Sequence, residues 1–384
     1  MRPDSVELAD QAAVWAGAYL HIPFCARVCP YCDFNVVAGR DDLTSRYVEA
    51  VLHEIEMESP WRRLESVAFG GGTPSRLSPV ELISMLNGLR TRFGLADRAE
   101  VSIEVNPEDW TPSVADDLVA GGFTRVSFGA QSFDRDVLDD LGRLHSPQQI
   151  SEGVRNAKVA GFGSISLDLI FGTPGESIAS WRESVEKAIA LEPDHISTYA
   201  LTVERGTTLS RAVGAGAPGP DEDDQADKYE LADELLTTAG FIRYETSNYS
   251  RPDHACRYNL LTWAQGEYLA FGPGAHGHLG GVRYRNLHRI EAYLDAIEAH
   301  RRPEQGRDLQ TAWQREQERL LLGLRRVAGV IAGSAGSALE SDDWGKRLFE
   351  AGVLARDGER LRVVRPLLGD EAGRAVLALG PGDC

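Results

Sequence analysis

The run YLHIPFCARVCPYCDF, at residues 19–34, joins a short apolar stretch to three closely spaced cysteines. Its first residues, from Tyr19 to Ile22, have the composition of a buried β-strand. Cys25, Cys29 and Cys32 follow directly, so the three thiols share one tight loop that begins where the strand ends. This spacing brings all three thiols within reach of a single metal centre. The run therefore predicts a metal-binding loop at the carboxyl end of a strand.

The number of thiols helps to distinguish between the kinds of metal centre that such a loop could hold. A structural zinc ion takes four protein ligands, and His21 and Asp33 are the nearest candidates for the fourth. An iron–sulfur cluster held by three thiolates leaves one iron open to a small molecule. From the residues alone, an iron–sulfur cluster is favoured over zinc, and core cysteines that bind no metal are a third reading.

Composition narrows the classes of partner. The chain has 384 residues, with 40 Lys and Arg against 58 Asp and Glu, and a formal net charge of -18. This acidic balance opposes binding along a nucleic-acid backbone, which depends on clustered cations. No apolar run reaches the roughly 18 residues of a membrane span, and the first residues lack a basic signal-peptide region. We therefore expect a cytoplasmic protein with no transmembrane segment and no nucleic-acid partner.

Short β-rich runs recur along the first half of the chain, and stretches with helical spacing lie between them. Strand followed by helix, repeated, predicts parallel strands joined by right-handed crossovers. Six such units favour an α/β fold with a partial (β/α)6 TIM-like barrel over a closed barrel of eight units. The six predicted strands are Tyr19–Ile22, Ser66–Phe69, Val101–Val105, Arg125–Phe128, Ile165–Ile170 and His195–Leu201.

Residues suited to ligand binding follow the ends of these predicted strands. Gly70–Pro74 follows the second strand, Glu104–Pro107 closes the third, Gln131 follows the fourth, and Gly172–Gly175 follows the fifth. The carboxyl ends of parallel strands meet at one face of a barrel, where active sites of such folds lie. We therefore expect these residues and the cysteine loop to surround one site.

The second half of the chain has a different pattern. The loop GAGAPGP at 214–220 precedes acids 221–224, which predict the first turn of a helix rather than a metal site. Beyond residue 300 helical patterns dominate, followed by LARDGERLRVV, in which Asp357-Gly358 predicts a hairpin turn. The expected division is a core barrel at 1–245, a connecting segment at 246–300, and a small helical, winged-helix-like domain with a β-wing at 301–384.

The run at 19–34 resembles the signature of the radical S-adenosylmethionine (radical SAM) superfamily. Its HIPF before the first cysteine resembles the branch that contains oxygen-independent coproporphyrinogen III oxidase. Further segments are similar to that branch, in the same order, up to about residue 280: GGGTPS, EVNPED, RVSFGAQSF, LGRLH, DLIFGTPGES and FGPGAH. The resemblance implies a radical SAM barrel that binds a 4Fe–4S cluster and SAM.

The resemblance also assigns residues to these cofactors. Cys25, Cys29 and Cys32 would each hold one iron, and the fourth iron would chelate SAM. One electron delivered to the cluster would then cleave the sulfonium bond of SAM, so a one-electron donor is implied. The residues expected around SAM are Tyr19, Tyr31, Gly71, Gly72, Thr73 and Glu104, together with Gln131, Arg143 and Asp168, which match contacts of a second SAM in the oxidase. Ordinary turn, capping and surface roles are the alternative for each.

Two departures separate this chain from the oxidase. The oxidase has a fourth cysteine two residues after the third, where this chain has Phe34, and a longer segment before its first cysteine. In both features the chain resembles the HemW-type heme chaperones, which bind heme and transfer it to an acceptor protein such as a respiratory enzyme. A heme chaperone is therefore expected, and the alternative is the oxidase itself. Whether the chain is an enzyme stays open at this point.

One segment departs from the chaperones as well. They typically carry H-N-x-x-Y-W, whereas residues 258–263 read YNLLTW. The resemblance places heme contacts at Tyr258, Asn259 and Trp263, and a tyrosine phenolate is a known type of heme ligand. Alternatively, these side chains are ordinary polar residues of the protein core.

Overall fold

The computed structural model describes residue 8 and residues 10–380, so Cys384 lies outside the described residues. The strands are β1 (Ala16–Ile22), β2 (Phe24–Cys25), β3 (Val37–Ala38), β4 (Leu64–Gly71), β5 (Leu95–Val105), β6 (Arg125–Gln131), β7 (Ser164–Phe171), β8 (His195–Ala200), β9 (Ile242–Arg243), β10 (Asn248–Ser250), β11 (Glu267–Phe271), β12 (His276–Leu279), β13 (Val282–Asn286), β14 (Glu304–Asp308), β15 (Val330–Ile331), β16 (Leu354–Asp357) and β17 (Arg360–Val363).

The helices start where the sequence offers capping residues. Ser78 caps the second helix in a capping box with Glu81, and Asp221 caps the eighth by accepting from the amide of Asp224 at 2.9 Å. The acids at 221–224 therefore begin a helix, as predicted. The α-helices are α1 (Thr44–Met57), α2 (Pro79–Phe93), α3 (Pro112–Gly121), α4 (Arg135–Asp140), α5 (Pro147–Ala160), α6 (Ile178–Ala190), α7 (Thr208–Gly214), α8 (Glu222–Thr238), α9 (Arg257–Trp263), α10 (Ile290–Glu298), α11 (Ala312–Gly323), α12 (Gly333–Ser341), α13 (Asp343–Glu350) and α14 (Gly369–Ala378).

One curved sheet carries the site. Strands β1, β4, β5, β6, β7 and β8 are adjacent and parallel, which confirms the six predicted βα units. The sheet is larger than predicted, because β11 pairs in parallel with the free edge of β1, and β12 to β14 extend it by antiparallel pairing. At the opposite edge β10 and β9 continue from β8. The two outermost strands, β14 and β9, do not pair with each other, so the barrel is partial.

Alternating side chains give the sheet an apolar outer face and a polar inner one. In β7, Leu167 and Leu169 are fully buried, whereas Asp168 between them faces the inside of the barrel. The outer face packs with α1, α2, α3, α5, α6, α8 and α10 in one continuous hydrophobic core, in which Trp181 of α6 is fully buried. None of the described helices is long and apolar enough to cross a membrane.

A second hydrophobic core lies near the carboxyl terminus. It joins α11 to α14 with the antiparallel sheet β15-β17-β16, whose hairpin turns at Asp357-Gly358 as predicted. The first of the helices expected beyond residue 300 is α11, which ends at Gly323. The division at residue 300 stays a prediction, and β14 (Glu304–Asp308) pairs with β13 of the large sheet.

Candidate metal and cofactor site

The carboxyl ends of the parallel strands open into a cavity of about 470 Å³. Such a volume is that of a small-molecule site. Eleven of the residues expected from the sequence line it together: Cys25, Cys29, Tyr31, Cys32, Gly71, Gly72, Thr73, Glu104, Gln131, Arg143 and Asp168. These residues come from the cysteine loop and from the ends of β4 to β7 or the loops that follow them. These eleven residues therefore lie together at the expected face, whereas Gly172–Gly175, also expected there, do not line the cavity. The binding roles of the eleven residues stay a prediction.

The thiols are held on the cavity wall by polar neighbours. The hydroxyl of Thr73 donates to Cys25 Sγ at 3.4 Å, and Arg143 Nη1 approaches Cys29 Sγ at 3.7 Å. Burial raises the pKa of the Cys25 thiol and raises the pKa of Cys32 to about 11. Without a metal these thiols are protonated, so cluster assembly would release their protons.

Glycines let the cysteine loop and the following turn approach each other. The amide of Gly72 donates to Ile22 O and the amide of Thr73 to Phe24 O, both at 2.8 Å. A β-carbon on Gly72 would lie 2.8 Å from each of those two carbonyl oxygens. Gly71 has a φ of +106°, which L side chains rarely adopt. The GGG turn is therefore required to hold the thiol loop against β4.

The donor set fits an iron–sulfur cluster better than a zinc ion. Three thiols line one cavity, but among the described residues no three His, Cys, Asp or Glu side chains converge on a single ion position. A zinc site requires such convergence, whereas a cluster needs only one thiolate for each of three irons. His21, the nearest candidate for a fourth zinc ligand, bonds to Tyr19 and to the carbonyl of Asn35 instead.

Two carboxyl groups face the cavity opposite the thiols. Glu104 Oε2 accepts from the amide of Gly71 at 3.3 Å, while Asp168 accepts from the hydroxyls of Ser197 and Ser127 at 2.7 and 2.8 Å. Although the Glu104 side chain is accessible from the cavity, its enclosure within the barrel, with a smaller effect of Asp168, raises its pKa to about 7. Burial also raises the pKa of Asp168. These carboxyl groups offer acceptors to a ribose hydroxyl or an ammonium group.

A second set of polar side chains connects β6 with the cysteine loop along the cavity wall. Arg143 Nη2 donates to Gly129 O at 3.0 Å and to Asn106, and Asn106 donates to the hydroxyl of Thr73 at 3.2 Å. Gln131 has a φ of +63°, at an irregularity in the pairing of β6 with β7. This unusual backbone turns the Gln131 side chain toward the cavity.

Sequence reasoning missed several cavity residues. Asn106 and Tyr199 line the cavity, and Ser127 and Ser197 bond to Asp168 at its wall. A signal was present, because polar residues at every second position of an apolar strand, as in ISLDLIF at 165–171, predict one polar face. Asn106 stands in the EVNPED segment, where only Glu104 was singled out.

Tyr19 does not line the cavity, although it was expected beside SAM. Its hydroxyl bonds with His21 Nδ1 at 3.2 Å, and its ring stacks on Tyr258 with centroids 5.7 Å apart. Tyr258 also packs against the edge of Tyr268 at 5.6 Å. Tyr19 thus connects the cavity region with the segment expected to bind heme.

That segment closes the opposite end of the barrel. The carbonyl of His254 accepts from Arg125 at 3.0 Å, and the amide of Arg257 donates to Glu100 at 2.8 Å, so residues 254–263 lie across the amino ends of β5 and β6. Asn259 donates to the hydroxyl of Tyr244 at 3.2 Å. Trp263 packs under Arg325. The expected heme contacts therefore lie away from the cavity, and their role in heme binding stays a prediction.

Comparison with known proteins agrees with this geometry. Residues 19–188 match the model of the Radical SAM superfamily, so the partial barrel and its three-thiol loop define a radical SAM protein. The chain is 38% identical over 373 residues to the heme chaperone HemW of Mycobacterium tuberculosis, covering 92% of this chain and 95% of that protein. It is 33% identical over 318 residues to HemW of Bacillus subtilis, covering 82% of this chain and 84% of that protein. The chain belongs to the HemW family.

Among solved structures, coproporphyrinogen III oxidase (HemN) from Escherichia coli has the same fold. The two superpose with a TM-score of 0.82 over 98% of this chain and 93% of that one. Their sequences are 21% identical, so this likeness concerns the fold alone.

Proposed function

We propose that this chain is a cytoplasmic heme chaperone that holds a 4Fe–4S cluster and SAM, binds heme, and transfers it to an acceptor protein. The similarity to HemW of Mycobacterium tuberculosis carries this proposal, because it extends over 92% of the chain and includes the carboxyl-terminal region. The acceptor is a heme-requiring protein such as a respiratory enzyme, and a one-electron donor serves the cluster.

The cysteine loop supports a chaperone over the oxidase. The side chain of Phe34 stands where the oxidase has a fourth cysteine, and 63% of its surface is exposed at the mouth of the cavity. The fourth described cysteine, Cys256, lies in the segment at 254–263, away from the cavity. Its thiol is buried, and burial raises its pKa to about 12. The cysteine loop therefore contributes three thiols and the phenyl ring of Phe34 to the cavity.

The residues around the thiols suit SAM. A cluster bound to Cys25, Cys29 and Cys32 would supply the electron for cleavage of the SAM sulfonium bond. Glu104 and Asp168 would accept hydrogen bonds from the ammonium or ribose groups, and the glycine turn at 71–72 leaves room for close approach of the ligand. Arg143, close to Cys29, would stabilise the negative charge of the thiolate.

Hemin titration of the cluster-loaded protein tests the proposal. We expect saturable binding, followed as a shift of the Soret band, and no protoporphyrinogen when coproporphyrinogen III, SAM and a reductant are supplied. The matched control is Cys29→Ser, which should lose the cluster without losing the fold. Absence of saturable hemin binding would overturn the proposal, and conversion of coproporphyrinogen III would favour the oxidase.

A further inference from the structure

Large apolar side chains surround the mouth of the cavity. Val28, Phe34, Leu144 and Tyr199 all line it and are 51, 63, 48 and 41% exposed, respectively. We call these four residues the apolar rim. They come from the cysteine loop, from the loop after α4, and from the end of β8. Exposed apolar side chains that cluster around one cavity mark a binding surface more strongly than the same side chains scattered singly.

Beside the apolar rim lies a cation that has no partner among the residues the structure describes. Arg27 lines the same cavity and is exposed, and its guanidinium approaches Gly142, two residues before Leu144. It forms no hydrogen bond or ion pair with any residue that the structure describes, in a chain whose net charge is -18. The cavity lining also carries exposed acids, Asp33 and Glu204. An anionic group on a bound ligand would therefore be directed to Arg27.

We propose that the apolar rim and Arg27 form the docking site for the heme cargo. The flat macrocycle would lie on the rim residues, and a propionate would pair with Arg27. The cavity of about 470 Å³ beneath remains for the cluster and SAM. This inference rests on the proposed function, which supplies the cargo, and adds where the cargo lies.

The chemistry of the site suits a cargo that must leave again. No histidine lines the cavity among the described residues, so binding there uses the face and the propionates of the macrocycle rather than an imidazole bond to iron. With the three cysteines holding the cluster and the ring of Tyr199 used for stacking rather than as a phenolate ligand, metal-free protoporphyrin IX, which has the same face and propionates, should bind about as well as hemin. Ligation through Tyr258 would instead require the iron.

The segment at 258–263 supports this choice by its present contacts. Tyr258 is packed between Tyr19 and Tyr268, Asn259 bonds to Tyr244, and Arg325 covers Trp263. These three side chains are only partly exposed, and a heme bound there would compete with the contacts they already make. The apolar rim is exposed without any such rearrangement.

The test measures hemin affinity of the cluster-loaded protein and of variants at the apolar rim, with iron and sulfide content measured for each. Phe34→Gln and Leu144→Gln should each weaken binding about tenfold, and Leu144 lies outside the cysteine loop. Arg27→Gln should weaken it about threefold, with recovery in Arg27→Lys. Ile331→Gln, which changes a similarly exposed side chain on β15, is the matched control and should bind as the unchanged chain does. Tyr258→Phe should leave both the affinity and the Soret band unchanged.

The outcomes separate the two proposals. Weakened binding in Leu144→Gln with unchanged cluster content, together with tight binding of metal-free protoporphyrin IX, supports docking at the apolar rim. Equal affinity in all rim variants, or a requirement for iron and for the Tyr258 hydroxyl, overturns docking at the rim while the chaperone proposal stands. If the unchanged chain binds no hemin, both proposals fail. If the rim variants bind heme normally but no longer deliver it, the rim docks the acceptor protein and the inference is wrong.

Discussion

We predict that the affinity for SAM depends on pH through the carboxyl group of Glu104. SAM carries an ammonium and a sulfonium charge, so the ionised carboxylate is the form that should bind it. Burial raises the pKa of Glu104 to about 7, which means that much of the side chain is neutral in the free protein near neutral pH. Binding then includes the free energy of removing that proton, and the affinity for SAM falls as the pH falls through about 7.

The size of the effect follows from the fraction ionised. With a pKa of about 7, roughly nine-tenths of Glu104 is ionised at pH 8 and roughly a tenth at pH 6. The dissociation constant of SAM should therefore rise about tenfold between pH 8 and pH 6. Replacement of Asp168, whose charge contributes to the raised pKa, by Asn should move the midpoint of this change to lower pH.

Equilibrium dialysis of SAM against the cluster-loaded protein between pH 6 and pH 8 measures the change. Glu104→Gln should bind weakly at pH 8 and with little dependence on pH. Glu108→Gln is the matched control. Glu108 also lines the cavity, but the effect of its burial is outweighed by the hydrogen bond with His145 together with a backbone hydrogen bond and the charge of Arg143, so the pKa of Glu108 lies below its ordinary value. The reasoning is refuted if the unchanged chain binds SAM equally at both pH values, or if Glu104→Gln keeps the full pH dependence.

Three further variants test the loop and the core beside it. Cys29→Ser should abolish the cluster, seen as loss of iron and acid-labile sulfide, while circular dichroism stays close to that of the unchanged chain because the loop lies at the barrel mouth. Gly72→Ala should reduce cluster content, since the added carbon meets two backbone oxygens, whereas Gly214→Ala, where no atom lies within 4 Å, should not; equal iron content would contradict the packing argument. Glu54→Gln should lower the free energy of unfolding by about 2 kcal/mol, because donors lie at both carboxyl oxygens of Glu54. Asn286 donates to one oxygen at 2.7 Å, and Gly272 and Tyr293 donate to the other at 2.9 and 2.7 Å, so the NH2 group of the glutamine would face a donor in either orientation. Glu58→Gln, which removes only a half-exposed ion pair with Arg302, should cost less than about 1 kcal/mol, and thermal unfolding compares the two.

Local pattern was sufficient to predict the six βα units and the residues at their carboxyl ends. Each strand is a short apolar run, and helices such as α2 and α3 start at a capping side chain, Ser78 and Thr111, so both kinds of element are determined by nearby residues. The pairing of β11 with β1 was not predictable in this way, since it joins residues 16–20 to residues 267–271. Only the packed chain shows that the free edge of β1 is covered.

The same limit applies to the candidate site. The thiols are adjacent in sequence, so their common role was visible from their spacing alone. The stack of Tyr258 on Tyr19 joins residues separated by most of the barrel, and resemblance to a family motif gave no sign of it. The sequence did not distinguish Arg27 from other loop cations, whereas the structure places it near Gly142 in the lining of the cavity.

The segment at 254–263 lies across the amino ends of β5 and β6, and the cavity opens at the carboxyl ends of the parallel strands, where the apolar rim lies. If SAM occupies the cavity and the macrocycle lies on the apolar rim, both use this mouth. The macrocycle would then cover SAM, so it would have to leave before SAM could leave through the mouth. An effect of the macrocycle on SAM would therefore appear first in the residence time of SAM, rather than in its affinity.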